Sequence, residues 1–273
     1  MAGRGRGAPG LSRGRLLALG AVVFALWLLL AYVILPAAWT HHEHQPGLAD
    51  RPMVTRTPQG IPGDPLNVGL VGDREDVVRA MLAGGWLPAD PVTLKSSLGI
   101  VGSVLLDRPY LTAPVSALDY DGRREDLAYE KSAGRSADRR HHIRLWQVID
   151  AGAEGRTVWL GSATFDRGVG LSTDTGQVTH DIAPDIDAER DGLAADLTRA
   201  GMVATVYAVS GVGPTLTGRN GEGDRYRTDG EVRVLVLVEG GRRAATPPRT
   251  LPAPPWVRAK DAAWRAVGQA LPD

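Results

Sequence analysis

An uncharged apolar stretch from Leu16 to Ala38 constrains this chain more than any other feature. At about 1.5 Å rise per residue, a helix of this length exceeds the ~30 Å hydrocarbon core of a bilayer. Four arginines precede the stretch, whereas residues 39–50 contain no Lys or Arg. The positive-inside rule therefore predicts a transmembrane helix at 16–38 in the cell membrane, with the basic segment 1–15 in the cytoplasm and residues 40–273 outside.

A cleaved signal peptide is the alternative interpretation of this stretch. Its apolar core would span only ~7 to 15 residues and would end in a small-x-small cleavage site. Leu35-Pro36-Ala37 does not supply that site well. The sequence therefore favours an uncleaved anchor that contacts the lipid bilayer through residues 16–38.

The composition predicts one globular core and excludes several classes of function. The 273 residues carry 31 Lys and Arg against 31 Asp and Glu, so no overall basic field would attract nucleic acid. Cysteine is absent, which excludes disulfides, thiolate chemistry and zinc sites built on Cys. We expect neither a nucleic-acid partner nor a cofactor.

Composition along the chain divides the part outside the membrane into four segments. Residues 39–63 are rich in Pro and Gly and are predicted to form a stalk, with 64–240 as the folded domain. Residues 241–255 are rich in Pro and Arg and indicate a linker. Residues 256–273 have the spacing of an amphipathic helix, which could lie on the membrane surface but is better explained by docking onto its own domain.

One histidine cluster lies in the predicted stalk. His41, His42 and His44 surround Glu43, and their imidazoles could bind a transition metal. No second shell would orient the rings in such a segment, so a hydrated spacer is the simpler interpretation. We predict no metal site.

Apolar periodicity within 64–240 predicts an α+β domain with a mainly antiparallel sheet and a few packed helices. The helices are expected at 74–83, 92–106 and 185–199, the first two followed by Gly84-Gly85 and Pro109. The strands are expected at 66–71, 117–120, 127–131, 140–148, 157–165, 203–210 and 232–238. Three tryptophans, Trp86, Trp146 and Trp159, are expected in the core.

The segment from Arg140 to Trp146 (RHHIRLW) is the most unusual local sequence. Side chains alternate between the faces of a strand, so His142 and Arg144 should share one face while Ile143 lies on the other. If neighbouring strands bring His180, Asp166 and Arg190 close, the available chemistry is anion binding by the arginines with a histidine as proton donor.

Blocks along the whole body resemble, in their order, the LssY C-terminal domain family. The blocks are Gly63–Val68, Ala83–Trp86, Arg108–Tyr110, Ala113–Ser116, Arg140–Trp146, Val158–Asp166, Thr179–His180 with Ile186–Asp191, and Gly218–Asn220 with Thr228–Gly230. The family is named after a protein assigned to type I secretion. Its domains also occur joined to membrane modules of the DedA and phosphatidic acid phosphatase kinds, so the resemblance implies a role in lipid or envelope metabolism. The Pro-Ser-Gly-His block of the phosphatase is absent from this sequence.

Two hypotheses of function remain open. The first is a non-catalytic binding or assembly module that meets a phosphorylated or lipid ligand at the membrane surface. The second is a phosphatase-like or other hydrolase on a phosphorylated envelope or lipid substrate, although the predicted domain 64–240 has no Gly-x-Ser-x-Gly motif and the sequence has no His-Glu-x-x-His or Walker A motif. The catalytic candidates are His142, His180 and Asp166, and the binding candidates are Arg144, Arg190, Asp185, Arg219, Asn220 and Asp229.

Each of these candidates also has a purely structural interpretation. Arg144 with Asp185 or Asp187 could form a structural ion pair, for which Asp166 is a further possible partner. The Gly-rich segment 218–230 could be a hairpin connection whose Asp and Asn side chains satisfy turn backbone. A metal site built from His142, His180 and Asp166 is the least favoured interpretation.

Overall fold

The computed structural model describes most of the chain and divides it into two compact units, residues 1–43 and 44–273. The described residues are 12–37, 43–48, 50–89, 118–133, 139–171, 178–211, 217–221, 223–253, 255, 257–259, 262–263 and 266, with backbone only at 169–171, 178–180 and 210. The predicted helix at 92–106 lies outside them.

The first unit contains one long apolar helix. Its α-helical part, α1, spans Arg13–Leu29 and continues through a π-helical turn at Leu30–Ile34. The whole helix, Arg13–Ala37, is long and apolar enough to cross a membrane, and none of it is buried within the protein. The π-turn comes just before Pro36, whose missing N–H and ring disturb the regular hydrogen-bond ladder.

The second unit is a mixed α+β domain, as predicted. Its helices are α2 (Arg74–Ala83) and α3 (Ile186–Arg199), and a 3-10 turn spans Glu239–Gly241. Its strands are β1 (Val54–Arg56), β2 (Pro62–Pro65), β3 (Val68–Val71), β4 (Leu87–Pro88), β5 (Asp119–Tyr120), β6 (Arg123–Arg124), β7 (Leu127–Ser132), β8 (Arg140–Ile149), β9 (Val158–Leu171), β10 (Val178–Ile182), β11 (Val203–Ser210), β12 (Thr217–Arg219), β13 (Arg225–Arg227), β14 (Glu231–Leu237) and β15 (Arg249–Thr250).

The main sheet has the order β15-β11-β14-β3-β9-β8-β7-β4, and β10 pairs with the far end of β9. Its pairings are antiparallel except at β14 with β3 and at β11 with β15. Two smaller sheets, β2-β1-β5-β6 and β12-β13, complete the domain.

Both helices pack on one face of the main sheet. Apolar side chains at helical spacing, such as Val77 of α2 and Leu193 of α3, meet Ile143 and Trp159 of the strands in one core cluster. Asp185 begins α3 by accepting a hydrogen bond from the Ala188 N–H at 3.0 Å. The three tryptophans predicted for the core are at most 1% exposed.

The predicted stalk at 39–63 is wrong over residues 44–63, which belong to the folded domain. Leu48 and Met53 cover the second face of the main sheet, where they pack with residues such as Trp146 and Val234. Gln45 is fully buried, and β1 and β2 lie within 54–65. The second face of the main sheet is apolar where these residues lie and must be shielded from water. A few apolar side chains are therefore enough to fold this segment onto the sheet despite its Pro and Gly content.

The predicted linker 241–255 is also partly structured. Residues Arg249–Thr250 form the edge strand β15, and the Leu251 N–H donates to the Val206 carbonyl at 2.9 Å. In the predicted C-terminal helix the described positions between 257 and 266 are helical, and Val257 is 6% exposed. Other residues of the chain therefore cover Val257.

Candidate functional site

Strand β8 divides its side chains between the two faces of the main sheet as alternation predicts. Ile143 and Leu145 lie in the core under the helices. His142 and Arg144 lie on the opposite face, together with Trp146, which joins the second core cluster. His142 is 5% and Arg144 8% exposed, so both polar groups are buried among other side chains.

A buried polar cluster surrounds these two residues. It comprises Asp64, His142, Arg144, Ser162, Thr164, Asp166 and Asn220, each at most 8% exposed. On β9 the alternate residues 162, 164 and 166 face the same way, and the register places Ser162 opposite Arg144 and Thr164 opposite His142. A seven-residue cluster of this kind is costly to bury unless its members pair with each other.

Two acid–base contacts organise the cluster. His142 Nε2 lies 3.2 Å from Asp166 Oδ2, and Arg144 Nη1 lies 3.8 Å from Asp64 Oδ2. Asp64 of β2, which the sequence did not suggest as a partner of Arg144, is thus a carboxylate at ion-pair distance from it. Asp185 instead caps α3 and lies 3.5 Å from Arg227.

The pKa of Asp64 is raised despite the neighbouring arginine. Burial raises the pKa of its carboxyl group above the ordinary value, while the charge of Arg144 and a hydrogen bond from Asn220 oppose that shift. Asn220 Nδ2 donates to Asp64 Oδ1 at 3.1 Å, and the Thr55 hydroxyl donates to the Asp64 carbonyl at 2.8 Å. The cluster thus contains a buried carboxyl group that can hold a proton.

Ser162 supplies a buried hydroxyl group to the cluster. Its Oγ is buried and makes no hydrogen bond within the part of the chain that the structure describes. A nucleophile needs a base within hydrogen-bond reach, and His142 does not accept this proton. The cluster therefore contains a serine, a histidine and an aspartate without the connected relay of a Ser-His-Asp hydrolase.

Arg190 forms a second polar centre at the start of α3. It is 2% exposed and donates two hydrogen bonds to Asp229, at 2.9 and 3.1 Å, and one to Asp191 at 2.8 Å. A further hydrogen bond reaches the Glu231 carbonyl, and Asp187 Oδ1 lies 3.4 Å away. The guanidinium is therefore saturated by groups of the protein itself.

The electrostatics of this centre agree with a structural ion-pair network. Burial alone would lower the pKa of Arg190, but hydrogen bonding to Asp229 and the charges of Asp229 and Asp187 raise it overall. Burial likewise would raise the pKa of Asp229, but Arg190 lowers it. The pKa of Asp187 is raised, because burial and the charge of Asp229 outweigh Arg190. Asp187 also accepts hydrogen bonds from the Thr228 hydroxyl and the Asp229 N–H. It therefore links α3 to the connection between β13 and β14.

The remaining candidates are dispersed. Arg219 is exposed on β12 and donates to the Gly223 carbonyl at 2.9 Å. The backbone of His180 pairs opposite Val169 on β10, and its side chain lies outside the described residues. Among the side chains that the structure describes, no group of three His, Asp or Glu residues could hold a metal ion.

Sequence reasoning missed Asp64, Ser162 and Thr164 as members of the cluster. Residues 162, 164 and 166 alternate along a predicted strand, so strand periodicity could have placed them on the face of Asp166. Asp64 has no such local signal, because its position follows from packing of β2 across the sheet. His141 was also missed, and its Nδ1 lies 2.8 Å from Glu189 of α3 on the helix side.

Comparison with known proteins gives one match. The family model described as LssY C-terminus matches residues 47–232. This range begins inside the predicted stalk, in agreement with the packing of residues 44–63 into the domain. Neither the curated proteins nor the solved structures give a significant match.

Proposed function

Since the chain belongs to the LssY C-terminus family, we propose that it is a single-pass membrane protein whose family domain lies outside the cytoplasmic membrane and acts there as a binding or assembly module in envelope or lipid processes. The anchor is the apolar helix Arg13–Ala37. The arginines before it, and the absence of Lys and Arg from residues 39–50, support the orientation. Protease added to intact spheroplasts should remove the body, whereas protection of the body with loss of the N-terminus would contradict this orientation.

One observation supports a binding module over a hydrolase: the two buried arginines are held by carboxylates of the domain. Arg190 contacts three aspartates, and Arg144 lies beside Asp64. A phosphate-binding site needs cations that a substrate can reach and neutralise. Buried cations that already have internal partners serve stability and positioning instead.

The hydrolase remains a second candidate because of Ser162. Its buried hydroxyl has no hydrogen-bond partner in the described part of the chain, and it lies opposite Arg144 in the sheet register. An opened form of the cluster could present this hydroxyl and the guanidinium to a phosphorylated substrate.

Thermal melts of the wild type and of Arg144→Ala, each with and without inorganic phosphate, separate the two functions. For a structural pair we expect no stabilisation by phosphate and a loss of ~3 to 5 kcal/mol in the variant. Changing Arg144 to Met together with Asp64 to Leu should recover much of that loss. Phosphate stabilisation of the wild type that disappears in Arg144→Ala would show an anion-binding site at Arg144, which the hydrolase requires.

A further inference from the structure

The β12–β13 hairpin has two faces of opposite character. On its inner face Gly218 lies opposite Tyr226, and Tyr226 packs against Ile182 and Ile186. A Cβ at position 218 would lie 2.4 Å from the Tyr226 ring, so only glycine fits there. The ring therefore fixes the hairpin on the domain and determines which side chains face solvent.

The outer face consists of Thr217, Arg219, Arg225 and Arg227, and we call it the arginine face. Arg219 is directly opposite Arg225 in the register, and Arg227 is opposite Thr217. All four residues are exposed. Directly opposed residues of an antiparallel pair have Cβ atoms about 4.5 to 5.5 Å apart, so two guanidinium groups project side by side.

Among the described residues, no carboxylate pairs with the two central arginines of this face. The Arg225 side chain makes no ion pair or hydrogen bond within the described ranges, and the Arg219 side chain donates to the Gly223 carbonyl. Asp224, which precedes Arg225, accepts a hydrogen bond from the Ile182 N–H at 3.1 Å. Arg227 has Asp185 at 3.5 Å. This contrasts with Arg190, which is saturated by internal carboxylates.

Like charges directly opposite each other destabilise a strand pair, so the arrangement is unfavourable without an external anion. A guanidinium group matches the geometry of a phosphate and can donate two parallel hydrogen bonds to it. The chain as a whole has no net charge, so this attraction would be local to the hairpin.

We propose that the arginine face docks on an anionic phospholipid surface, with Arg219 and Arg225 contacting the lipid phosphates. This inference rests on the proposed function, because the membrane anchor makes lipid the anionic surface that this domain meets. The occupant is a surface and not a single soluble anion, since the exposed side chains of Arg219 and Arg225 can each contact a different headgroup.

The test uses the full chain in nanodiscs of phosphatidylcholine, which are mixed with vesicles. Wild-type nanodiscs should float with vesicles of phosphatidylcholine and phosphatidylglycerol, should not float with phosphatidylcholine vesicles, and should dissociate as salt is added. Arg219→Gln with Arg225→Gln should weaken the association by about 25-fold, because each arginine near an anionic surface is worth about a fivefold factor.

Arg242→Gln with Arg243→Gln is the matched control, because it removes the same charge from two other exposed arginines. It should retain wild-type association, and Arg219→Lys with Arg225→Lys should retain most of it. Equal binding to both vesicle types, or an equal loss in the control, would overturn the proposal. The assay does not depend on which side of a cell membrane the domain occupies, so its failure is distinct from failure of the proposed orientation.

Discussion

Asp64 is a buried carboxyl group whose pKa is raised even though a guanidinium lies 3.8 Å away. At this separation the attraction to Arg144 offsets only part of the cost of removing the carboxylate from water. The native state therefore binds a proton more readily at Asp64 than the unfolded chain does. This gives the stability of the domain a defined dependence on pH.

The first residue-scale prediction concerns Asp64→Asn. Because the folded pKa is raised, the stabilising contribution of Asp64 is fully present below the unfolded value near 3.8 and is lost as pH rises through the folded value. Asparagine cannot ionise and keeps the contribution at every pH. The urea midpoint of Asp64→Asn relative to wild type should therefore rise from about pH 4 to about pH 8. The exposed Asp50→Asn should leave the profile unchanged, and a falling relative midpoint would refute the role assigned to Asp64.

The second prediction concerns Arg190→Met. Removal of the guanidinium leaves the partly buried Asp229 and Asp187 without the Arg190 cation, so we expect a loss of ~1 to 3 kcal/mol in the free energy of unfolding at neutral pH. Arg190 lowers the pKa of Asp229, so the stability that Asp229 contributes is present above about 3.8 and is lost as pH falls through its folded pKa. The penalty of Arg190→Met should accordingly shrink in acid. A penalty below ~1 kcal/mol would mean that Arg190 is free to bind a ligand.

At this scale the sequence predicts which residues share a face but not which residues pair. Alternation along Arg140–Trp146 places His142 and Arg144 together, because it is a property of any strand. The partner of Arg144 comes from β2, a short strand whose position depends on packing across the whole sheet. No local pattern around Asp64 encodes that contact.

Among the elements, the segment 44–48 shows how a short stretch can be fixed by one polar side chain. Gln45 is fully buried, donates to Glu154 at 2.9 Å and to the Tyr207 hydroxyl at 3.2 Å, and accepts from the Ala153 N–H at 2.7 Å. Leu48 is buried beside it in the second core cluster. In a Pro- and Gly-rich sequence, Gln45 looks like a residue of a solvated spacer. Its role in holding the segment is visible only in its tertiary contacts.

Gln45→Ala should release this segment. The variant leaves the Ala153 N–H without its partner and removes one of the hydrogen bonds to the Glu154 carboxylate, so a loss of ~1 to 3 kcal/mol is expected. Hydrogen exchange should show faster exchange of the Ala153 amide, while Gln59→Ala, an exposed control, should change neither quantity. Unaltered exchange at Ala153 would show that Gln45 does not hold the segment.

The strands and helices with strong periodicity were predicted to within a few residues, and the weakly patterned segments were not. Strands β8 and β11 and helix α3 have the expected limits because several apolar residues repeat at the proper spacing. Strands β1, β2 and β15 have two to four residues each, which is too short for a period to be recognised. Their positions depend on hydrogen bonds to distant strands.

At the scale of the whole molecule, the account rests on two observations, the family match and the apolar helix. The family match covers residues 47–232, and the apolar helix Arg13–Ala37 precedes it. In the proposed account, the ion pairs of Arg144 and Arg190 stabilise the domain. Ligands would then bind to exposed surfaces such as the arginine face.

The central claim is the orientation of the domain outside the cytoplasmic membrane, and the absence of cysteine from the chain allows a direct test. Single cysteines are introduced at Gln59, an exposed turn residue of the domain, and at Ala8, before the helix. Intact cells are treated with a membrane-impermeant maleimide. The account predicts labelling of Gln59→Cys in intact cells and labelling of Ala8→Cys only after the membrane is permeabilised. Labelling of Ala8→Cys but not Gln59→Cys in intact cells would contradict it.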